Sequence, residues 1–276
     1  MATSGDCGVF AGVSVSDSHV DRSSRLCGLA GEAGPTIWLQ NSRAFISERL
    51  VTWGAMDSTL HDSIGRSPSE IANKTQRWNG KADAYFSADV ETDGPIPGPF
   101  SILSFALVYA GSFDGRHFQR PPNYEQMLYR ELKPISENFE PEALRINGLD
   151  RARLCLEGES PEKAMTEACR WVNATAGTAQ PVLVAYPLSF DWSWLYWYFI
   201  RFSAAGSPFA YSRCFDIKTA LAVKASIPIS DAGRSQIDFS LRPRHPHTHH
   251  AVDDAIAQAE IFANVFEWEG VSGRTR

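Results

Sequence analysis

The chain has 276 residues, 43% hydrophobic and 21% charged, enough apolar content for one generous domain with a buried core. Its net charge of −6 excludes a clamp that grips nucleic acid by phosphate neutralisation alone. Acidity is compatible with carboxylates that hold divalent cations, because the ions then supply the positive charge. No run approaches the roughly 20 apolar residues of a membrane span.

The start, Met1-Ala2-Thr3-Ser4-Gly5-Asp6, has neither the basic residues nor the apolar run of a signal peptide. The five cysteines form no C-x-x-C pair and show no metal-site spacing. A soluble cytoplasmic protein without a disulfide framework is expected.

Residues 1–34, rich in Gly, Ser and Ala, open an N-terminal extension of residues 1–80 that reads as partly mobile. Helical patterns there run from Ser47 to Met56 and from Ser67 to Gln76, the second opened by Ser67-Pro68-Ser69-Glu70. No chemistry can be assigned to it. Residues 81–270 read as the functional domain and 271–276 as a tail.

Strands are expected from Ala84 to Thr92 and from Pro99 to Ala110, followed by an Asp114-Gly115 turn and a third strand near Met127 to Leu132. A helix follows from Ser160 to Ala176. Pro181 to Ala185 is a short continuous apolar run suited to a central strand buried on both faces. Next comes an aromatic helix with Trp192, Leu195, Tyr196 and Phe199 at helical spacing, and then a fifth strand from Arg213 to Ile217. The last helix, Ala251 to Glu267, carries Val252, Ala255, Ala259, Phe262 and Phe266 on one stripe. The whole reads as a mixed sheet covered by helices.

Asp89 and Glu91, two apart on the first strand, project to one face. Adjacent like charges on a central strand are costly unless a cation binds them, although a solvent-facing edge pair remains open. Thr92-Asp93-Gly94-Pro95 supplies a turn directly after them. Asp191 opens the aromatic helix, where an acid is commonly a cap or dipole partner. His249 and Asp254 frame the start of the last helix as H-x-x-x-x-D, within the run His245-Pro246-His247-Thr248-His249-His250. That run reads as a polar loop or as a transition-metal site.

The order D-x-E, F-D-W, H-x-x-x-x-D over residues 89 to 254 resembles the DEDDh branch of the DEDD 3′→5′ exonuclease superfamily, ribonuclease T and proofreading exonucleases among them. Residues 89–95, 190–192 and 249–259 are similar to its three motifs, and residues 140–150 to a segment of ribonuclease T-type members. The resemblance implies a ribonuclease H-like fold with a mixed five-stranded sheet flanked by helices. It also implies two Mg²⁺ or Mn²⁺ ions, roughly 3.5–4 Å apart, held by Asp89, Glu91, Asp191 and Asp254. Glu91 would touch both metal and water, and His249 would act as general base.

The substrate would be a DNA or RNA 3′ end, single-stranded or short. Thr92, Phe86 and Trp192 are the expected substrate contacts, with Phe100 and Phe118 further stacking candidates that read equally as core. Tyr186-Pro187 stands where many members have a His-Asn pair. From Tyr211 to His250 six Lys or Arg face three Asp, a surplus that could steer phosphates. Within the family a proofreading subunit of a polymerase is an alternative, though no polymerase-binding segment is identifiable, and a homodimer stays open. Outside it, a catalytically silent nucleic-acid-binding or scaffolding module on the same fold is the rival. No membrane partner is expected.

Overall fold

The computed structural model describes residues 80–271. The helical patterns expected at residues 47–56 and 67–76 lie outside them, as does the extension apart from Gly80. Strand β1 (Asp83–Thr92) is the middle of the sheet, pairing antiparallel with β2 (Ile102–Phe113) on one edge and parallel with β5 (Gln180–Ala185) on the other. Beyond β5 lies β6 (Cys214–Asp216), also parallel. Both β3 (Phe118–Gln119) and β4 (Met127–Glu131) pair antiparallel with β2.

The order β3-β2-β1-β5-β6, with β2 reversed, is the ribonuclease H-like arrangement implied by the motifs. One strand more is present than expected. Pro121-Pro122 cannot donate to a ladder, so the chain after the Asp114-Gly115 turn pairs only briefly as β3 and re-enters as β4.

Two helices went unread in the sequence, α1 (Pro141–Asn147) and α2 (Arg151–Glu157), seven residues each and too short to show periodicity. Then come α3 (Pro161–Ala176), capped by Ser160, α4 (Leu188–Phe202), α5 (Ile217–Ala225) and α6 (Ala251–Glu267). Helix α6 spans the residues its apolar stripe predicted.

Alternation along β1 builds two cores. Phe86, Ala88 and Val90 pack with Met165 and Val172 of α3 and Trp194 and Tyr198 of α4. Tyr85 faces the other way, with Val184, Leu221 of α5 and Ala255, Ala259 and Phe262 of α6. Asp89 and Glu91 share the Tyr85 side, so they sit under the start of α6. Among the described residues no helix is long and apolar enough to cross a membrane, and Cys155, Cys169 and Cys214 are free thiols.

Candidate active site

The β1–β5 ladder ends at the pair Ser87 and Val184, while β1 continues to Thr92 with only β2 beside it. Its free edge must find other hydrogen-bond partners. Asp191 provides one. Helix α4 starts at Leu188, so Asp191 lies in its first turn, buried, and its Oδ1 accepts the Val90 N–H at 3.1 Å. The acid joins α4 to β1 rather than capping its own helix; Pro187 holds the cap position.

Asp254 lies in the first turn of α6, buried, and gathers the preceding loop. Its oxygens accept from Thr248 N at 3.0 Å and His249 N at 3.1 Å, and His247 Nδ1 stands 2.6 Å away. His249 adopts φ 58°, a left-handed conformation that is costly for a residue with a Cβ and is held here by the Asp254 contact. Asp253 instead accepts the Thr248 hydroxyl at 2.8 Å. The four-residue gap thus selects Asp254 and His249 as the pair facing the cleft.

The histidine-rich run is divided. His247 and His249 turn to Asp254, their rings 4.4 Å apart. His245 pairs with Glu260 at 3.0 Å, and His250 stacks on Tyr129.

Asp89, Glu91, Asp191 and Asp254 line a cleft of about 660 Å³ with His249 and His247. Carboxylate oxygens of Asp89, Glu91 and Asp254 come within 4.8 Å of one another. Burial, then the charges of Asp191, Glu91 and Asp254, push Asp89 well above the usual carboxylate range, with Arg234 opposing. Burial, then Asp254 and Asp191, raise Glu91 to about 8. Burial raises Asp191 to about 7 against the hydrogen bond from Val90. Such a cluster is stable only with protons or a cation among its oxygens. Hard oxygen donors with this much negative charge fit a divalent cation such as Mg²⁺ or Mn²⁺.

Two supporting residues carried no assigned role in the sequence, and a third, Arg234, figured there only as one of the six Lys or Arg of the 211–250 surplus. Gln258, one turn beyond Asp254 on α6 and buried, donates from Nε2 to Asp89 Oδ1 at 2.7 Å and accepts Tyr186 N at 2.5 Å. Its i+4 spacing from Asp254 is the signal that marks it. Tyr186, in the departure from the usual polar pair, donates its hydroxyl to Ala232 O at 2.6 Å and lies 5.7 Å beneath the Arg234 guanidinium. It is a strut that carries the loop and brings Arg234 to the cleft. No periodic pattern flags Arg234 itself, which also contacts His247 Nδ1 at 3.0 Å.

The opposite wall comes from the 140–147 segment, with Ile146 and Asn147 at the cleft. Asn147 donates to Thr92 O at 3.0 Å, and a buried pair, Arg151 to Asp93 at 2.9 Å, ties α2 to the turn after β1. That turn needs Gly94, since a Cβ there would meet the Phe100 ring at 2.2 Å.

Two expected substrate contacts need correcting. Phe86 is 0% exposed, packed on Trp171 and Phe209, because strand alternation sends it to the face opposite Asp89. Trp192 stacks on Tyr196, centroids 4.9 Å apart, and does not line the cleft. Its neighbour Phe190, 41% exposed, does. Phe100 and Phe118 are likewise packed against the cores. Thr92 lines the cleft, but its hydroxyl is given to Gly94 O at 2.8 Å.

No protein-family profile matches the chain. Over 181 residues it is 33% identical to the 3′–5′ DNA exonuclease Cap18 of Escherichia coli, covering 65% of this chain and 90% of that protein. The chain belongs to the DEDDh exonuclease superfamily. Among solved structures, this DEDDh exonuclease is similar to cell-death related nuclease 4, at 12% identity and TM-score 0.49, over 67% of this chain and 64% of the other. It is also similar to the nuclease domain of 3′hExo, at 11% identity and TM-score 0.48, over 69% and 94% of the two chains.

Proposed function

We propose that this DEDDh enzyme is a divalent-cation-dependent 3′→5′ exonuclease that removes nucleoside 5′-monophosphates from single-stranded or short DNA. The observation that carries the reading is the approach of Asp89, Glu91 and Asp254 oxygens within 4.8 Å at the floor of a cleft that His249 overlooks. DNA is the substrate named for Cap18, and its 33% identity is the ground for preferring DNA to RNA. Residues 81–270 carry the activity.

Asp89, Glu91 and Asp254 would hold the metal directly, with Asp191, tied to Val90, acting through water. Two Mg²⁺ or Mn²⁺ ions, when bound, supply positive charge to the attacking and leaving oxygens. His249 is free to take a proton, since no hydrogen bond engages its imidazole among the described residues. It receives the proton of the attacking water as the new O–P bond forms and the P–O3′ bond breaks, and the 3′ oxygen leaves protonated by solvent. Gln258 keeps Asp89 oriented through its 2.7 Å bond. Arg234 offers charge to the phosphate, and Phe190 and Ile146, on opposite walls, offer apolar faces to the terminal base.

The test is incubation of the full chain with 5′-labelled DNA and RNA strands and Mn²⁺. DNA should shorten from its 3′ end, and Asp89→Asn should slow this at least about a thousandfold. Absence of metal-dependent shortening of either polymer would sink the reading, and RNA cut as fast as DNA would break the substrate assignment.

A further inference from the structure

A second cavity, about 490 Å³, is lined by Arg120, Tyr124, Arg242, Arg244, His245 and Glu260 among others. Three guanidinia meet one carboxylate there, in a chain whose net charge is −6. Glu260 is spent on the loop: its oxygens accept Arg244 N at 2.6 Å, His245 N at 3.0 Å and the His245 ring at 3.0 Å. Arg120 is committed to Glu267 at 2.7 Å and Asn264 at 2.8 Å.

The other two guanidinia are not so committed. Arg242 gives only Nε, to Ile237 O at 3.0 Å, and the Arg244 side chain has no hydrogen bond or ion pair among the described residues. The Tyr124 hydroxyl is shut away from solvent with no hydrogen-bond partner. A buried O–H left unpaired carries its full desolvation penalty, which an anionic oxygen would relieve.

The cavity is linked to the cleft. Arg242 also lines a smaller hollow of about 260 Å³ together with Arg234 and His247, and both of those line the carboxylate cleft. Arg234, Arg242 and Arg244 therefore mark a basic path away from the acids. Glu260 lies six residues beyond Asp254 on α6, roughly 9 Å along its axis.

We propose that this cavity is a second phosphate-binding site, which takes a backbone phosphate of the strand whose 3′ end occupies the cleft. The identity of the ligand rests on the nuclease reading above. A dinucleoside monophosphate has a single phosphate, the one that would be cleaved, and cannot fill both sites. A longer strand can.

The experiment measures binding of a labelled strand of about 12 nucleotides to the full chain in EDTA, for wild type, Arg242→Ala/Arg244→Ala and Tyr124→Phe. The double variant should weaken binding about tenfold and flatten the salt dependence by roughly 1.4, the slope of two single-strand phosphate contacts. Tyr124→Phe, which removes only the orphan hydroxyl, should weaken binding severalfold. With Mn²⁺, hydrolysis of a dinucleoside monophosphate should be the same in all three proteins. Unchanged affinity and salt slope in the double variant overturn the proposal. So does protection of wild type from thermal unfolding by millimolar orthophosphate, lost in the double variant while strand binding is unaffected, since the site would then serve free phosphate. Normal hydrolysis with unchanged strand binding fails this proposal alone. Absent hydrolysis with weakened strand binding fails the nuclease reading and leaves the phosphate site standing.

Discussion

Helix α6 borders two cavities of opposite character, and the same residue type plays opposite parts in them. At its first turn, Asp254 joins Asp89, Glu91 and Asp191, and acids outnumber the cations that face them, Arg234 foremost. Further along, Glu260 and Glu267 are consumed by backbone N–H groups, His245 and Arg120, so the guanidinia of Arg242 and Arg244 are left over. The sign of a cavity therefore depends on how many partners its neighbours have already taken; the basic surplus of residues 211–250 marks the region, and the partnering picks out Arg242 and Arg244. One end suits cations and the other suits phosphate.

The comparison breaks hardest at the histidines. If His249 takes the proton, His249→Ala should lower kcat by roughly a hundred- to ten-thousandfold. His247 already contacts Asp254 and Arg234, so His247→Ala should act through positioning and cost less than about tenfold. Rates of strand shortening at saturating Mn²⁺ decide between them. A larger loss in His247→Ala would move the base to the neighbouring ring.

A smaller effect is expected at Gln258, which touches Asp89 and the Tyr186 backbone and faces neither solvent nor the histidines. Gln258→Ala should raise the Mn²⁺ concentration for half-maximal activity about ten- to a hundredfold, the range for residues that orient metal-binding carboxylates. Loss of activity that added Mn²⁺ does not recover would point to a fold defect instead.

Much of this was legible beforehand. The i, i+2 spacing of Asp89 and Glu91 put them on one strand face, and the stripe of α6 located Asp254 one turn in. Phe86 is legible by the same rule, since the alternation that pairs the two acids sends Phe86 to the opposite face. The choice between Phe190 and Trp192 was not readable, because it depends on how α4 rolls onto β1 through the Asp191–Val90 bond. The basic path was legible only as the surplus of Lys and Arg over residues 211–250, not residue by residue. Its residues Arg234, Arg242 and Arg244 lie in and just after three short 3₁₀ turns between Ile229 and Leu241, held by Tyr186, Glu260 and Asn264, where no periodicity relates sequence to side-chain direction.

The smallest effect expected is a pH-dependent one on stability. Glu91 is raised to about 8 and Asp191 to about 7 in the folded protein, chiefly by burial. A carboxyl raised on folding contributes stability that is fully present below its ordinary range near pH 4 and is lost as pH rises through the folded value. Metal-free protein should therefore lose stability between about pH 4 and 8, as protons leave the cluster and its charges repel. A divalent cation replaces those protons, so its stabilising effect should be small at acid pH, grow as pH rises and be largest above about pH 8. Saturation at about a hundredfold over the dissociation constant should raise Tm by roughly 5 °C at the alkaline end. Melting in EDTA against Mn²⁺ across this range reads the difference directly. An equal shift at both ends would mean that the cation binds a site whose acids are ionised throughout, and the crowded carboxylates at the cleft floor would then not be that site.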